Sequence, residues 1–150
     1  MKQKIKNGFE YFAIVVLLNI LFFAPGNSMA DIPSDEFFIA LSFVESSDRD
    51  DVIGDNGRAY GRYQIRQQYL DDANSFAGTS YTLVDMLDTE KAKAVVIAYM
   101  RRYATVRRLG HVPTDEDFAR IHNGGLNGFK KSETIPYWNK INRAMNGERW

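Results

Sequence analysis

Apolar side chains recur at helical spacing directly after residue 34. Phe37, Leu41 and Val44 are separated by three or four positions, so they would line one face of an α-helix. Ser34 is a favoured N-cap, and the acidic residues that follow it suit the positive end of the helix dipole. The pattern predicts a first helix over residues 35–45 or 35–46.

Residues 52–65 show a different pattern, in which short apolar segments flank a turn sequence. The turn is Asp55-Asn56-Gly57, and the flanking residues include Ile53, Tyr60 and Ile65. Asn-Gly pairs are typical of tight hairpin turns, and aromatic and β-branched residues favour strands. This stretch predicts one small β-hairpin.

Two helices are predicted after the hairpin. The first is short and covers residues 67–74. The second covers residues 89–109 and stops at Gly110, a residue type that commonly follows a helix C-terminus. The spacing favours one uninterrupted second helix, and one of its sides would carry Ala94, Ile97, Ala98, Arg101 and Val106.

Two further helices are predicted near the C-terminus. Residues 114–117 have the sequence of a capping box, and the helix that they start would end at His122, before Asn-Gly-Gly. Pro136 suits the first position of a last helix, which would run to Met145. A mostly helical chain with one small β-hairpin belongs to the α+β class.

The first 30 residues have the order of a secretory signal peptide. Three lysines precede an apolar run over residues 11–23, and a Pro-Gly-Asn-Ser-Met-Ala segment follows it. The run is shorter than the roughly 20 residues that span a bilayer, which disfavours an uncleaved anchor. We expect cleavage after Ala30 and export of one domain over residues 31–150, to the periplasm or the medium. An apolar helix that belongs to the domain is the alternative.

Charge changes the picture little. Of the 19 basic and 19 acidic residues, three Lys and one Glu lie in residues 1–30, which leaves a formal charge of −2 after cleavage. So small a net charge predicts no strong field toward nucleic acid or an anionic surface. Recognition is therefore expected to rest on a shaped cleft, with no nucleic-acid partner.

Glu45 combines two features of a general acid. It would lie at the C-terminal end of an apolar helix, where the dipole disfavours a carboxylate, and Phe43 and Val44 beside it would remove water. Both effects raise the pKa of its carboxyl. Asp55 lies in the hairpin turn, where backbone N–H groups and water would keep it charged. The two could form the carboxyl pair of a glycosidase, one on each side of a cleft.

The residues alone leave ordinary roles open for both carboxyls. Glu45 could be a solvated acid at a helix end, and Asp55 could serve only the turn. Asp48, Asp50 and Asp51 are rival partners for Glu45, although a solvated loop suits them as well. Spacing along the chain does not decide among them.

Eight sequence elements resemble, in order and spacing, those of the invertebrate-type (destabilase-like) lysozymes. They cover most of residues 37–145 and are Glu45-Ser46, Gly54-Asp55-Asn56-Gly57, Gly61-Arg62-Tyr63-Gln64-Ile65, Tyr99-Met100-Arg101-Arg102-Tyr103-Ala104, Phe118-Ala119-Arg120, His122-Asn123-Gly124-Gly125, Lys130-Lys131 and Tyr137-Trp138-Asn139-Lys140. The resemblance implies a lysozyme-like α+β fold and hydrolysis of the β-1,4 bond between N-acetylmuramic acid and N-acetylglucosamine. It implies Glu45 as proton donor and Asp55 as nucleophile or ion-pair stabiliser.

The same resemblance implies a set of sugar-binding residues, which are Arg66, Tyr69, Tyr99, His122, Asn123, Gly124 and Lys131. Their chemistry suits a glycan, since tyrosine rings stack on pyranose rings and Asn and Arg bond to hydroxyl and N-acetyl groups. Ordinary roles stay open here too. Tyr99 suits a helix core, His122 suits a buried structural position, and the Gly-Gly pair suits a helix stop.

Cysteine usage departs from the family, whose members are typically rich in disulfides, because this chain has no cysteine. Packing alone would have to hold the fold. Two histidines without cysteines form no metal-ligand pattern, so neither a metal nor a cofactor is expected. The expected partner is the peptidoglycan glycan strand, bound by a monomer.

Two other functions stay open. The Glu-Ser pair followed by Gly-x-x-Gln-Ile also occurs in lytic transglycosylases, which use one catalytic Glu and release a 1,6-anhydro product. A lysozyme-like protein that only binds peptidoglycan would need the cleft but not the acid chemistry of Glu45. Products and a Glu45 variant would separate the three functions.

Overall fold

The computed structural model describes residues 32–150, so the predicted signal peptide over residues 1–30 lies outside the described residues. The helices of this part are α1 (Asp35–Ser46), α2 (Gln67–Ala77), α3 (Thr89–Tyr103), α4 (Val106–Leu109), α5 (Asp115–Gly124) and α6 (Ile135–Met145). Three strands form one antiparallel sheet in the order β1 (Ile53–Gly54), β2 (Ala59–Tyr60) and β3 (Ile65–Arg66). Short 3-10 turns cover Asp55–Gly57, Val84–Leu87, Gly128–Lys130 and Ser132–Thr134.

Helix α1 has the predicted bounds and cap. The Ser34 hydroxyl accepts a hydrogen bond of 3.1 Å from the backbone N–H of Phe37, which satisfies a donor of the first turn. The helix ends because Ser47 takes up a left-handed conformation with φ 55°, and its N–H bonds back to the Phe43 carbonyl. Glu45 is thereby held in the last turn.

The predicted hairpin is confirmed, but a third strand extends it. Ile53 pairs with Tyr60, and Tyr60 in turn pairs with Ile65. Between the second and third strands the chain turns at Gly61, whose φ is +72°. A Cβ there would collide with the Met86 carbonyl oxygen, so only glycine fits.

The prediction of one long helix over residues 89–109 is wrong. Helix α3 ends at Tyr103, Thr105 is extended, and α4 is a separate short helix. The break buries Ala104 completely in the core. On the side that carries Ala94, Ala98 and Arg101, only Ala98 of these three is buried. Apolar residues surround this helix almost completely, so periodicity did not define its buried face.

The remaining helices agree with the predictions in type and differ at their ends. Helix α2 runs to Ala77 rather than residue 74, and α5 runs to Gly124 rather than His122. The capping box of α5 is present, with Thr114 and Asp117 bonded to each other's backbone N–H. Within residues 32–150, no helix is long and apolar enough to cross a bilayer.

The core joins the helices around a central set of fully buried side chains. Phe37 of α1 meets Phe118 of α5 edge to face, with ring centroids 6.0 Å apart. Leu41, Leu70 and Ile141 are completely buried, and burying such a side chain stabilises the fold by roughly 1.5–3 kcal/mol. Helix α1 packs on α6, and α2 packs on α3. The C-terminal turns of α1 and α5 meet the start of α2 beside this core.

Candidate active site

Glu45 is held in a largely dry position, with 18% of its side chain exposed. Its Oε1 accepts a hydrogen bond of 2.5 Å from the hydroxyl of Tyr137 on α6. Burial raises the pKa of the carboxyl above its ordinary value, while the Tyr137 bond and the charges of Arg66 and Lys140 partly oppose this. The predicted rise is confirmed, with loss of water as its main cause.

His122 of α5 lies behind Glu45, with 5% of its side chain exposed. Its Nε2 is 3.1 Å from the Tyr63 carbonyl oxygen and 3.7 Å from Glu45 Oε1, and its Nδ1 is 3.3 Å from the Tyr69 hydroxyl. A carbonyl only accepts, so Nε2 donates to it and Nδ1 accepts from Tyr69. Burial lowers the pKa of His122 to about 4, so the ring is neutral near pH 7. Both nitrogens serve contacts within the protein.

Tyr69 and Tyr99 stack on each other rather than offering two free ring faces. Their centroids are 3.6 Å apart and their planes differ by 13°. Tyr99 is only 4% exposed and also meets Tyr103 edge to face. The ring of Tyr99 is therefore covered, which corrects the argument that it stacks on a pyranose. Tyr69 is half-buried and forms the more accessible part of this pair.

Glu45 faces a cavity of about 530 Å³, a volume within the usual range of small-ligand sites. The cavity brings together all the residues that were predicted to bind sugar, namely Arg66, Tyr69, Tyr99, His122, Asn123, Gly124 and Lys131. They come from β3, α2, α3, α5 and the turn before α6. Asp55 does not belong to the lining.

Asp55 occupies a wetter and more charged environment in the β1–β2 turn. Its φ is 49° and that of Asn56 is 54°, a left-handed conformation that Asp and Asn tolerate better than most residues. Asp55 Oδ1 accepts a hydrogen bond of 2.8 Å from Arg58. Its Oδ2 forms an ion pair of 2.9 Å with Arg66 Nη2 without hydrogen-bond alignment. Arg66 also lines the cavity, so it connects Asp55 to the site.

The three rival carboxylates are those of Asp48, Asp50 and Asp51, and two of them contact other residues. Asp50 accepts bonds of 2.6 Å from Arg62 Nε and 2.7 Å from the Thr89 hydroxyl, and these hold its pKa below the ordinary value. Asp48 pairs with Arg149 at 3.5 Å, and Asp51 is exposed. None of the three lines the cavity. Asp55 does not line it either, but its ion-pair partner Arg66 does, and this places Asp55 better than its rivals.

The residues after His122 divide between structural contacts and free polar groups. Lys131 Nζ donates to the Gly124 carbonyl oxygen at 2.6 Å, and a Cβ on Gly124 would collide with Thr134. Glycine is therefore needed there for packing. The Asn123 side chain is exposed and its amide has no hydrogen-bond partner among residues 32–150. Asn123 is the freest polar group of this segment.

Sequence reasoning did not assign six residues to the site, namely Tyr137 beside Glu45 and the lining residues Gln68, Asp72, Gly125, Leu126 and Asn127. Tyr137 was recognised only as part of a family element, and its bond to Glu45 spans 92 positions of sequence, which no local pattern reveals. Gln68 and Asp72 also line the cavity. Their spacing on α2 places them on one helix face, a signal that was available. In residues 32–150, no cluster of three or more His, Asp or Glu side chains is arranged to hold a metal ion.

The order of these elements matches a known family. Residues 38–144, well over half of the chain, match the model of the Destabilase family. The chain belongs to the destabilase family. The motif resemblance in the sequence is thereby confirmed.

Destabilase relatives of known name are lysozymes of bivalve molluscs. Lysozyme 1 of Crassostrea virginica is 38% identical over 86 residues, which are 57% of this chain and 45% of that protein. A lysozyme of Magallana gigas is 36% identical over 83 residues, which are 55% of this chain and 58% of that protein. The chain thus spans about half the length of these curated relatives.

Solved structures show the same fold in this family. The lysozyme of Tapes japonica superposes with a TM-score of 0.62 and 31% identity, covering 72% of this chain and 87% of that chain. The lysozyme of Meretrix lusoria, solved in complex with Aeromonas hydrophila PliI, superposes with a TM-score of 0.63 and 33% identity, covering 73% and 88%. The predicted lysozyme-like α+β fold is confirmed.

Proposed function

We propose that this destabilase-family chain is a lysozyme that hydrolyses the β-1,4 bond between N-acetylmuramic acid and N-acetylglucosamine in peptidoglycan. One observation carries the proposal: a glutamic acid whose pKa is raised by burial faces a cavity lined with sugar-binding residue types. A glycosidase needs such a carboxyl, because only the protonated form can donate to the leaving oxygen. The lysozyme names of the relatives support the same activity.

Glu45 is the general acid in this proposal, and Asp55 stabilises the positive charge that develops on the sugar or attacks the anomeric carbon. As the bond to the anomeric carbon breaks, the glycosidic oxygen takes the Glu45 proton. Water then adds to that carbon and returns a proton to Glu45. Arg66 contacts Asp55 and lines the cavity, which supports placing Asp55 beside the substrate.

A lytic transglycosylase is the second candidate, and the position of Asp55 favours it. Asp55 lies outside the cavity lining and is paired with two arginines, which suits a supporting role better than a direct one. A transglycosylase would use Glu45 alone, first as acid and then as base toward the sugar's own 6-hydroxyl. The two reactions differ by one water in the product.

Product masses from purified peptidoglycan test the proposal. We expect hydrolytic muropeptides from the wild type, and a loss of roughly a hundredfold or more for Glu45→Gln. Glu90→Gln is the matched control, since Glu90 is exposed in the first turn of α3. Products consisting only of anhydro-muropeptides, with full activity in Asp55→Asn, would establish the transglycosylase instead. Undiminished product release by Glu45→Gln would refute Glu45 as the acid of either enzyme, and a wild type that binds peptidoglycan without releasing product would be a binding protein.

The proposal extends to where and with what the protein works. We place it outside the cytoplasm after cleavage near Ala30, acting as a monomer on glycan strands. The signal-like order of residues 1–30 supports export. N-terminal sequencing of the exported protein should begin at residue 31, and an intact N-terminus in the exported protein would contradict cleavage.

A further inference from the structure

The two carboxyl oxygens of Glu45 have different surroundings. Oε1 is approached by the Tyr137 hydroxyl at 2.5 Å and by His122 Nε2 at 3.7 Å. Oε2 has no hydrogen-bond partner among residues 32–150, and it is not one of the polar atoms closed off from solvent there. One oxygen is therefore bound within the protein, while the other is not closed off from solvent, and Glu45 is a lining residue of the cavity.

The groups around Oε1 are both hydrogen donors. Burial raises the pKa of the Tyr137 phenol well above its ordinary value, so the hydroxyl keeps its proton. Within residues 32–150, Glu45 Oε1 is the acceptor for this hydroxyl. His122 Nε2 carries a hydrogen because it donates to the Tyr63 carbonyl. A proton on Oε1 would convert it from a carbonyl oxygen into a hydroxyl oxygen, which is a poorer acceptor for the buried Tyr137 hydrogen, so the bond favours the proton on Oε2.

Because its hydroxyl binds Oε1, we infer that Tyr137 is a positioning residue that keeps the acidic proton of Glu45 on Oε2 and that the substrate takes the proton from this oxygen. This inference rests on the proposed glycosidase function and names a residue to which that function assigns no role. Tyr137 does not line the cavity, so it acts through Glu45 rather than on the sugar.

The reaction step shows why this arrangement helps. When the glycosidic bond breaks, its electron pair stays on the leaving oxygen, and that oxygen takes the proton from Oε2. Glu45 becomes a carboxylate, and the bond from Tyr137 to Oε1 becomes charge-assisted and stronger. When water attacks the anomeric carbon, its proton returns to Oε2. Tyr137 thus stabilises the charge that Glu45 acquires in the transition state.

Packing fixes Tyr137 in this place. Helix α6 starts at Ile135 with a proline in its first turn, and it lies against α1 along the core. The preceding Thr134 is buried and its hydroxyl bonds to the Gly128 carbonyl at 2.8 Å. The titratable or charged groups that face Glu45 from all neighbouring elements are Tyr137 and Lys140 of α6, Arg66 of β3, His122 of α5 and Tyr69 of α2.

Tyr137→Phe tests the inference by removing only the hydroxyl. We expect kcat to fall about tenfold with little change in KM, because the lost bond matters most in the transition state. The alkaline limb of the pH profile should move to higher pH, since the Tyr137 bond lowers the pKa of Glu45. Tyr81→Phe is the matched control, because Tyr81 is half-buried away from the cavity.

A second substitution should shift the pKa of Glu45 in the opposite direction. Incorporating 3-fluorotyrosine at position 137 keeps the ring and the donor but makes the phenol more acidic, so its bond to Glu45 strengthens. The alkaline limb should then move to lower pH. This variant keeps the packing and remains informative if Tyr137→Phe folds poorly.

The outcomes separate this inference from the proposed function. An active wild type, an inactive Glu45→Gln and a Tyr137→Phe variant with wild-type kcat and pH limb would overturn the role of Tyr137 alone. An inactive wild type or an active Glu45→Gln would refute the function itself. Titration of the Glu45 carboxyl by carbon-13 NMR needs no activity. An unchanged Glu45 pKa in both position-137 variants would also overturn the role of Tyr137.

Discussion

Glu45 and Asp55 are ten residues apart and carry the same functional group, yet the fold gives them contrasting surroundings. Glu45 is desolvated at the end of α1, where it accepts one bond from a phenol, and among residues 32–150 no Lys or Arg lies within salt-bridge distance of it. Asp55 sits in a turn with 27% of its side chain exposed, and two arginines contact it at 2.8 and 2.9 Å. One carboxyl is dry and the other is ion-paired.

In the proposed mechanism, this contrast divides the acid and anion roles between two carboxyl groups. Loss of water disfavours the charged form, whereas nearby cations favour it. The desolvated surroundings of Glu45, here called the dry side, are formed by helix ends packed on the core. The surroundings of Asp55, here called the charged side, are formed by a surface sheet whose strands are two residues long. Apart from Arg66, which pairs with Asp55 and also lowers the pKa of Glu45, the two sides are built from different residues, so variants can disturb them separately.

Removing the charge at Asp55 should have the largest effect on the charged side. We expect Asp55→Asn to lose roughly a hundredfold in kcat/KM, as for other groups that stabilise transition-state charge. Asp50→Asn is the matched control, because Asp50 is bound by Arg62 and Thr89 away from the cavity. It should lower Tm and leave kcat/KM nearly unchanged. The opposite ranking in activity would make Asp50 the partner of Glu45.

Protonation of His122 should destabilise the folded protein on the dry side. Its pKa is about 4 in the folded protein against an ordinary 6.5, so the unfolded chain binds more protons between these values. The free energy of unfolding should therefore fall as pH drops from 6.5 to 4, by roughly 3 kcal/mol from this residue. His122→Gln should lack this part of the dependence in urea unfolding. Equal slopes in both proteins would show that His122 is not desolvated.

Glu45→Gln should stabilise the dry side at neutral pH. The folded-state pKa of Glu45 is raised, so the folded protein is destabilised as pH increases through that pKa and the carboxyl ionises. The neutral amide avoids this cost, so we expect a gain in the free energy of unfolding at pH 7. The gain should disappear at pH values below the ordinary pKa of 4.5. A lower free energy of unfolding for Glu45→Gln than for the wild type at pH 7 would contradict a raised pKa of Glu45.

Replacing the two arginines that contact Asp55 should have the smallest effect on activity among these variants. Arg66 lowers the pKa of Glu45 through its charge. Arg58, within residues 32–150, forms its ion pair with Asp55. Arg66→Gln should move the alkaline limb of activity upward by a fraction of a pH unit, because both side chains are largely exposed and screened. Arg58→Gln should leave the limb in place. Equal shifts of the alkaline limb in the two variants would mean that both arginines act electrostatically on Glu45.

Local elements of the fold were predictable because their signals are local. The Ser34 cap, the capping box at Thr114 and the Asp-Asn-Gly turn each depend on a few neighbouring residues, and all three are present. The break at Ala104 was not predictable in this way. It depends on burying Ala104 against other elements, and no Gly or Pro marks the position.

The candidate site was predictable in part. The family resemblance implied seven sugar contacts, and the structure brings all seven into the cavity. The roles within the cavity were less accessible, since Tyr99 proves covered by Tyr69 and both His122 nitrogens are engaged. Residue type names a possible contact, but only packing determines which atoms remain free for a ligand.

The sequence by itself determined the helix caps, the turn, the family and Glu45 as the acid candidate, because these rest on short patterns and on residue order. Only the tertiary structure decided that Asp55 has two arginine partners, that Asp50 is committed elsewhere and that Tyr137 meets Glu45. These facts depend on desolvation and on contacts between distant segments. Both arise when the chain is packed, and neither is encoded in any local stretch of residues.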